Sequence, residues 1–192
     1  MRKLVLICSV AMAAMSTAQA ATINVVPSAD VVYVHDDFSV LVSGADFPET
    51  GGATLSLSFD PNIVHVTGLS LATGSPFDFL SFTAFDNVAG EIEFISVLAP
   101  LEGALPSGGF DAFRVDFRSV GYGAAAITLI DDGLLYGWAG ADFALISGIG
   151  YTQADISVKT VPLPAAAWLL ISGLGVPAST RRSGSKQAER RG

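Results

Sequence analysis

Ala53-Thr-Leu-Ser-Leu-Ser-Phe59, followed at once by Asp60-Pro-Asn62, is the stretch that decides how this chain folds. Leu55, Leu57 and Phe59 fall on one parity and Ser56, Ser58 and Asp60 on the other. That period of two places apolar side chains on one face of a β-strand, whereas a helix would scatter them around its circumference. The next three residues make a corner. Asp60 precedes a proline and is pushed away from helix, Pro61 fixes the first turn angle, and Asn62 tolerates the tight second position. A strand ending in a structural turn is predicted, with no metal role for the corner.

Working outward, the same alternation recurs. Phe38-Ser-Val-Leu-Val42 repeats it clearly, and further strands are predicted over residues 22–26, 31–34, 64–70, 79–84, 91–97, 112–118, 125–130, 134–136 and 154–158. Turn chemistry separates them: Asp36-Asp37, Glu49-Thr-Gly-Gly52, Asp86-Asn87 to Gly90, Pro106-Ser-Gly-Gly109 and Asp131-Asp-Gly133. Between residues 21 and 159 no stretch combines a helical period with caps. Short strands at this spacing imply two packed sheets, an all-β, antiparallel β-sandwich of roughly nine strands.

The two ends read differently. Arg2 and Lys3 precede the apolar run from Leu4 to Met15, and Ala18-Gln19-Ala20 supplies a small-x-small site, the three parts of a secretory signal cut by signal peptidase. At the other end, Val161-Pro162-Leu163-Pro164 is followed by Ala165-Ala-Ala-Trp-Leu-Leu-Ile-Ser-Gly-Leu-Gly-Val176 and then by Arg181-Arg182. The prolines stop a helix from extending backwards, and the arginines form a basic stop on the cytoplasmic side. Motif, apolar segment and basic end, in that order, resemble the PEP-CTERM sorting signal of Gram-negative bacteria in a Val-Pro-Leu-Pro variant. The resemblance implies handling by exosortase, a membrane-embedded cysteine protease or transpeptidase, with transient inner-membrane anchoring and an association with exopolysaccharide and biofilm. The segment departs from the pattern in length. Sixteen residues of helix before Arg181 span about 24 Å, short of the ~30 Å hydrocarbon core. The expected organisation is a signal helix over residues 1–20, a β-sandwich over 21–160, and a sorting signal with a hydrophobic helix over 161–192.

Charge and cysteine content exclude several function classes. Of the 192 residues, the stretch between the ends holds three basic residues (Arg114, Arg118, Lys159) against seventeen acidic ones, a net of −14. Such a surface repels phosphate backbones, so nucleic acid is not expected as a partner. The one cysteine, Cys8, lies in the export segment, where Ile7 and the short stretch upstream do not fit a lipoprotein signal. The exported domain therefore has no disulfide, thiol nucleophile or cysteine metal site, and its core alone must hold it.

Residues able to carry chemistry are few. His35 and His65 lack a nucleophile motif or a second histidine at metal spacing, and His65 is expected to point outward with Ile63 and Thr67. Glu91 and Glu93, flanking Ile92, share a face and read as decoration of a solvated sheet, not as a glycosidase pair. Asp131-Asp132-Gly133 and Asp36-Asp37 offer oxygen ligands but match no calcium loop and read as turns. No enzyme activity, cofactor or metal is expected. Tyr136 and Trp138 lie two apart, on one face if the strand continues, where rings could stack on sugars; a core position is the commoner fate of a tryptophan. Phe77, Phe79, Phe82 and Phe85 read as core or edge packing.

The order of pieces carries a second resemblance. His35-Asp-Asp-Phe-Ser-Val-Leu-Val42 leads to Leu55-Ser-Leu-Ser-Phe-Asp-Pro-Asn-Ile-Val-His-Val-Thr-Gly68, then to Gly90-Glu-Ile-Glu-Phe-Ile-Ser-Val97. Gly109-Phe-Asp-Ala-Phe-Arg-Val-Asp-Phe117 and Ala126-Ile-Thr-Leu-Ile130 follow. From Thr22 to Val158 this set resembles the cohesin domain, a nine-stranded jelly roll of cellulosome scaffolds related to carbohydrate-binding modules. The resemblance implies a non-catalytic binding protein of the cell surface or exopolysaccharide matrix, taking a dockerin-like module or a polysaccharide on a sheet face. A matrix component without a specific ligand and a glycan-processing enzyme are the rival expectations.

Overall fold

The computed structural model describes residues 20–131 and 137–162. Strands β1 (Thr22–Pro27), β2 (Val31–Tyr33), β3 (Asp37–Phe47), β4 (Thr50–Ser58) and β5 (Val64–Leu71) open the chain. β6 (Phe79–Ser81), β7 (Phe85–Asp86), β8 (Glu91–Leu98) and β9 (Gly108–Ser119) follow. β10 (Gly123–Ile130), β11 (Gly137–Gly140), β12 (Gly150–Tyr151) and β13 (Ala154–Lys159) complete it, with no helix among the described residues.

Two sheets face each other. One has five strands in the order β12-β1-β3-β9-β5. The other has eight, in the order β2-β13-β10-β4-β8-β6, with β11 also beside β4 and β7 also beside β8. The expected β-sandwich is present, with two differences in detail. Among the described residues the strands number thirteen: the expected strand over residues 79–84 shortens to β6, with β7 following it at 85–86, and β11 and β12 are too short and glycine-rich to show alternation. The strand expected over 134–136 lies outside the described residues. Two pairs are parallel, β1 with β12 and β2 with β13, so the sheets are mixed at their margins. The expected terminal helices lie outside the described residues.

The deciding stretch folds as its parity requires. Leu55, Leu57 and Phe59 are buried, while Ser58 stays half-exposed. At the corner, Asp60 Oδ1 accepts the Asn62 N–H at 2.9 Å, and the Asp60 carbonyl accepts from Ile63 and Val64 at 3.1 and 3.0 Å. This turn carries the chain from the eight-stranded sheet into β5 of the other, closing the sandwich.

Between the sheets the core is aromatic at both ends. Phe38, Phe59 and Phe117 form one cluster, with ring centroids 5.4 and 5.7 Å apart. Phe47, Phe77, Phe110 and Trp138 form the other, at 5.1–5.9 Å. β3 reaches both because it breaks parity once. Phe38, Val40 and Val42 face inward, then an irregularity between Gly44 and Phe47, with Asp46 at φ 59°, turns Phe47 inward too. Gly44 is required beside it: a Cβ there would lie 2.5 Å from the Phe110 ring.

Local polar devices tie the sheets together. Ser119 is fully buried, and its hydroxyl lies 2.6 Å from the Tyr33 carbonyl and 3.2 Å from that of Asp36, satisfying groups that burial would otherwise orphan. The turn after β7 is built on Asp86, whose Oδ1 accepts from Ala89 at 2.8 Å and Val88 at 2.9 Å. Those N–H groups, Ala89 first, hold its carboxyl below the usual range. The turn presents Asn87, whose side-chain amide accepts from Val66 N–H at 2.8 Å and donates to Val66 C=O at 3.0 Å. One amide thus stands in for a neighbouring strand on β5, the edge of the five-stranded sheet, and blunts it.

Candidate binding faces

The expected stacking pair does not form a surface. Trp138 points inward from β11, opposite Ala53, and is 0% exposed. Three phenylalanines surround it, and its Nε1 has no hydrogen-bond partner among the described residues. The reading of Trp138 as a sugar-stacking ring is therefore corrected. The parity of β4 puts Ala53 in the core, and the strand beside it must bury the matching position. Tyr136 lies outside the described residues.

The other expected positions divide. Ala20 is exposed at the start of the described chain, and Val161 and Pro162 are exposed after β13. Ala18, Leu163, Pro164, Arg181 and Arg182 lie outside the described residues. His65 is half-exposed, between buried Val64 and Val66, with Nε2 3.0 Å from the Pro61 carbonyl. The His35 backbone N–H donates to the Ser119 carbonyl at 3.0 Å, and no cluster of metal-ligand side chains occurs among the described residues. Asp36 and Asp131 are engaged elsewhere. Asp36 Oδ2 accepts from the Tyr33 N–H at 2.9 Å, and Asp131 accepts from the Tyr151 hydroxyl. Burial first, and that hydrogen bond second, push the Tyr151 hydroxyl above its ordinary value.

What the structure does offer is two outer faces of different chemistry. On the eight-stranded sheet the outward residues of the central floor are small. Thr54 and Ser58 on β4, Ala124, Ala126 and Thr128 on β10 and Ser96 on β8 reach solvent, while Gly52 and Ser56, of the same parity on β4, are covered. The Thr54 and Ser96 hydroxyls bond across the strands at 3.0 Å. Apolar side chains stand at its margins. Leu98 lies over Gly52, where a Cβ would come within 2.9 Å of its Cδ2, and pairs with Phe79 on β6.

Phe94 rises from a bulge in β8. Leu55 pairs with Ile95 and Leu57 with Ile92, so Glu93 and Phe94 together oppose Ser56, and both are exposed. Phe94 sits at φ 54°, a backbone state that bulky side chains avoid, and is 45% exposed. Phe82 stacks on Phe85 at 4.8 Å beside this bulge, where Thr83 N–H bonds to the Glu93 carbonyl. The expectation of core or edge packing holds for Phe77, which is buried. It holds as edge packing for Phe79, which sits on the edge strand β6 beside Leu98, and for Phe82 and Phe85, which stack on each other. Phe79 and Phe82 nonetheless keep 47% and 38% exposure. Phe94 is what the sequence reading missed. A signal was present: Ile95 and Val97 share parity with Glu91 and Glu93, and two carboxylates cannot line a core, so the strand must break register between them.

The outer face of the five-stranded sheet is polar. Arg114, Asp116 and Arg118 alternate along β9 with buried Val115 and Phe117. Arg118 forks onto Asp37 of β3 at 2.8 and 2.9 Å, and Arg114 Nε lies 3.0 Å from Asp116. The guanidinium beside Asp37 lowers that carboxyl's pKa.

No protein-family model matches the sequence, and no curated relative is found for it. Solved structures do match. A non-cellulosomal cohesin from the hyperthermophilic archaeon Archaeoglobus fulgidus is 18% identical with a TM-score of 0.58, over 79% of this chain and 98% of that one. A cohesin from Clostridium acetobutylicum gives 17% and 0.59, over 73% and 92%. The third ScaC cohesin of Acetivibrio cellulolyticus, solved with the ScaB dockerin, gives 15% and 0.58, over 72% and 98%. Identities this low speak to architecture alone: the described domain is a sandwich like that of the cohesins.

Proposed function

We infer that this protein is an exported, non-catalytic binding module that docks a folded protein partner on the outer face of its eight-stranded sheet. The observation that carries the reading is Phe94. A large ring is held in a left-handed backbone state and turned to solvent, beside a flat floor of serine, threonine and alanine. Backbone strain of this kind clusters at binding sites, and a partly exposed aromatic ring is a residue type enriched at protein interfaces. The Acetivibrio cohesin of the same fold was solved holding a dockerin, which supports a dockerin-like module as the partner. With Trp138 in the core, this face has lost its stacking lead for sugar.

The same reading places the protein outside the cell, at the surface or in the exopolysaccharide matrix of a Gram-negative bacterium. Signal peptidase would act after Ala20 and exosortase near Pro164, with brief anchoring by the apolar segment. Support comes from the order of motif, apolar run and basic end in the sequence.

Two experiments test this. A photo-crosslinking residue placed at position 98 or 79 should trap one defined envelope protein, while one at position 39, on the opposite sheet, should not. Equal capture from both faces would remove the docking reading. For sorting, mass spectrometry of the mature C-terminus in cells with and without the exosortase should show a cut near Pro164 only in the former. An identical C-terminus in both strains would refute the sorting step.

A further inference from the structure

We propose a second binding site on the outer face of the five-stranded sheet: a trough that takes a linear, uncharged polysaccharide strand. The proposal is independent of the docking face opposite. Two depressions, of about 480 and 640 Å3, share Ser28, Ser39 and Arg114. Together they cross β1, β3, β9 and β5. Four strands at about 4.8 Å spacing make this trough about 15 Å long, room for a short run of sugar rings.

The lining selects the ligand. Its floor is apolar where Val26 and Leu41 rise, which suits the C–H faces of sugar rings. Above the floor, donors and acceptors are interleaved. The guanidiniums of Arg114 and Arg118 alternate with the carboxylates of Asp37, Asp111 and Asp116, and the Ser28 and Ser39 hydroxyls stand between them. A ligand that is donor and acceptor at every position matches such a surface, and a row of hydroxyls is one. The ion pairs pre-set the geometry. Arg118 is forked onto Asp37 and Arg114 leans on Asp116, which lowers the cost of ordering each guanidinium on binding.

Two other occupants fit poorly. An extended peptide binds by adding to a sheet edge, but β1, β3 and β9 are each paired on both sides, and on the edge strand β5 the Asn87 amide already occupies the Val66 peptide. A strongly charged polymer needs a surface of one sign, and here two guanidiniums face three carboxylates. Gly68 keeps the trough open on its β5 side: a Cβ there would lie 3.2 Å from Asp116 Oδ2.

The test presents the full chain to an array of linear neutral oligosaccharides, with oligogalacturonate and heparin fragments as charged arms. Binding to a neutral class is expected, weakened at least about tenfold by Arg114→Ala, which removes a charged hydrogen-bonding group from an exposed position, and by Ser39→Trp, which fills the trough. Glu102→Gln, on an exposed loop elsewhere, should leave it unchanged. Circular dichroism matching the parent shows that each variant is folded, and Arg114→Ala stands alone if Ser39→Trp is not. Binding confined to the charged arms, neutral binding indifferent to Arg114→Ala, or silence across the array would each overturn the proposal.

Discussion

The outer faces of the two sheets share one scaffold and one alternation, yet they have opposite characters. Facing inward, both are apolar because both must fill one core. The five-stranded sheet supplies valines and phenylalanines such as Val40, Phe113 and Phe117, the eight-stranded sheet leucines, isoleucines and valines such as Leu55, Ile127 and Val97. Facing outward, the eight-stranded sheet carries small hydroxyl and methyl groups with apolar rings at the margin. The five-stranded sheet carries a stripe of ion pairs in a hollow. Inward positions answer to packing and constrain each other. Outward positions answer to whatever the face meets, so the contrast between them is where function is written.

The largest expected effect is one that cannot tell the faces apart. Trp138→Ala empties the centre of the aromatic cluster that both sheets share, and should destabilise the domain by about 3–5 kcal/mol in denaturant melts. A loss under about 1 kcal/mol would mean the cluster collapses around the gap. Asn87→Ala tests the join more selectively. It removes both hydrogen bonds from the Val66 peptide and should lower stability by about 2 kcal/mol, with faster amide exchange along β5 before β4. Exchange that rises equally in both strands would show that the clip does not act on the edge alone.

Tyr151 joins the sheets chemically. Its hydroxyl, on β12 of the five-stranded sheet, donates to Asp131 just after β10 of the other. Its pKa is raised in the folded state, by burial first. The stability this confers is complete below the unfolded tyrosine value of about 10, and drains away as pH climbs from there toward the folded value. Alkaline unfolding should therefore steepen above about pH 10 and flatten in Tyr151→Phe. Identical alkaline profiles for the two proteins would show that this pair does not link ionisation to folding.

Much of this fold was legible in the sequence, for a physical reason. Strands buried on one face must alternate, so Leu55, Leu57 and Phe59, and likewise Phe38, Val40 and Val42, announced both element and facing. The Asp60-Pro61-Asn62 corner was readable because its constraints are local. Residues 137–140 and 150–151 were missed because their strands exist only through their neighbours. Gly137 and Gly150 have no side chain to alternate, and β12 forms by pairing with β1, far away in sequence. The faces were less legible. Trp138 was open to two readings, since parity from Tyr136 cannot say which side is the core; only the register against Ala53 decides. Phe94 was hidden by a bulge, which shifts every later residue of β8 to the other face. The trough could not be read at all, because Ser28, Ser39, Ser70 and Arg114 come together only when four strands pair.

Phe94 gives the sharpest test of the contrast, because binding should fall much further than stability. Glycine adopts positive φ without the clash that a ring-bearing residue suffers, which offsets the contacts and backbone entropy that Phe94→Gly loses, so stability should change by no more than about 1 kcal/mol. If the ring anchors a partner, the same change should weaken that partner's binding at least about tenfold. Stability and binding falling together would mean that the ring packs against its own sheet, and the apolar margin would lose its meaning.

The smallest effect belongs to the polar face. Asp37 has a lowered pKa because Arg118 donates to it, so the pair's stability is present above the ordinary carboxylate value and lost as pH falls through the lowered one. Both partners are exposed, and water and salt screen such a pair heavily. Asp37→Asn should thus barely shift the melting temperature at neutral pH, and that shift should vanish in high salt. The small effect is itself informative. A pair that contributes little to folding, yet holds a guanidinium in one plane along an open trough, has its use in what lies above the sheet. A large, salt-resistant loss of stability would instead make Arg118–Asp37 a structural tie between β9 and β3, and the two faces would differ less than their chemistry suggests.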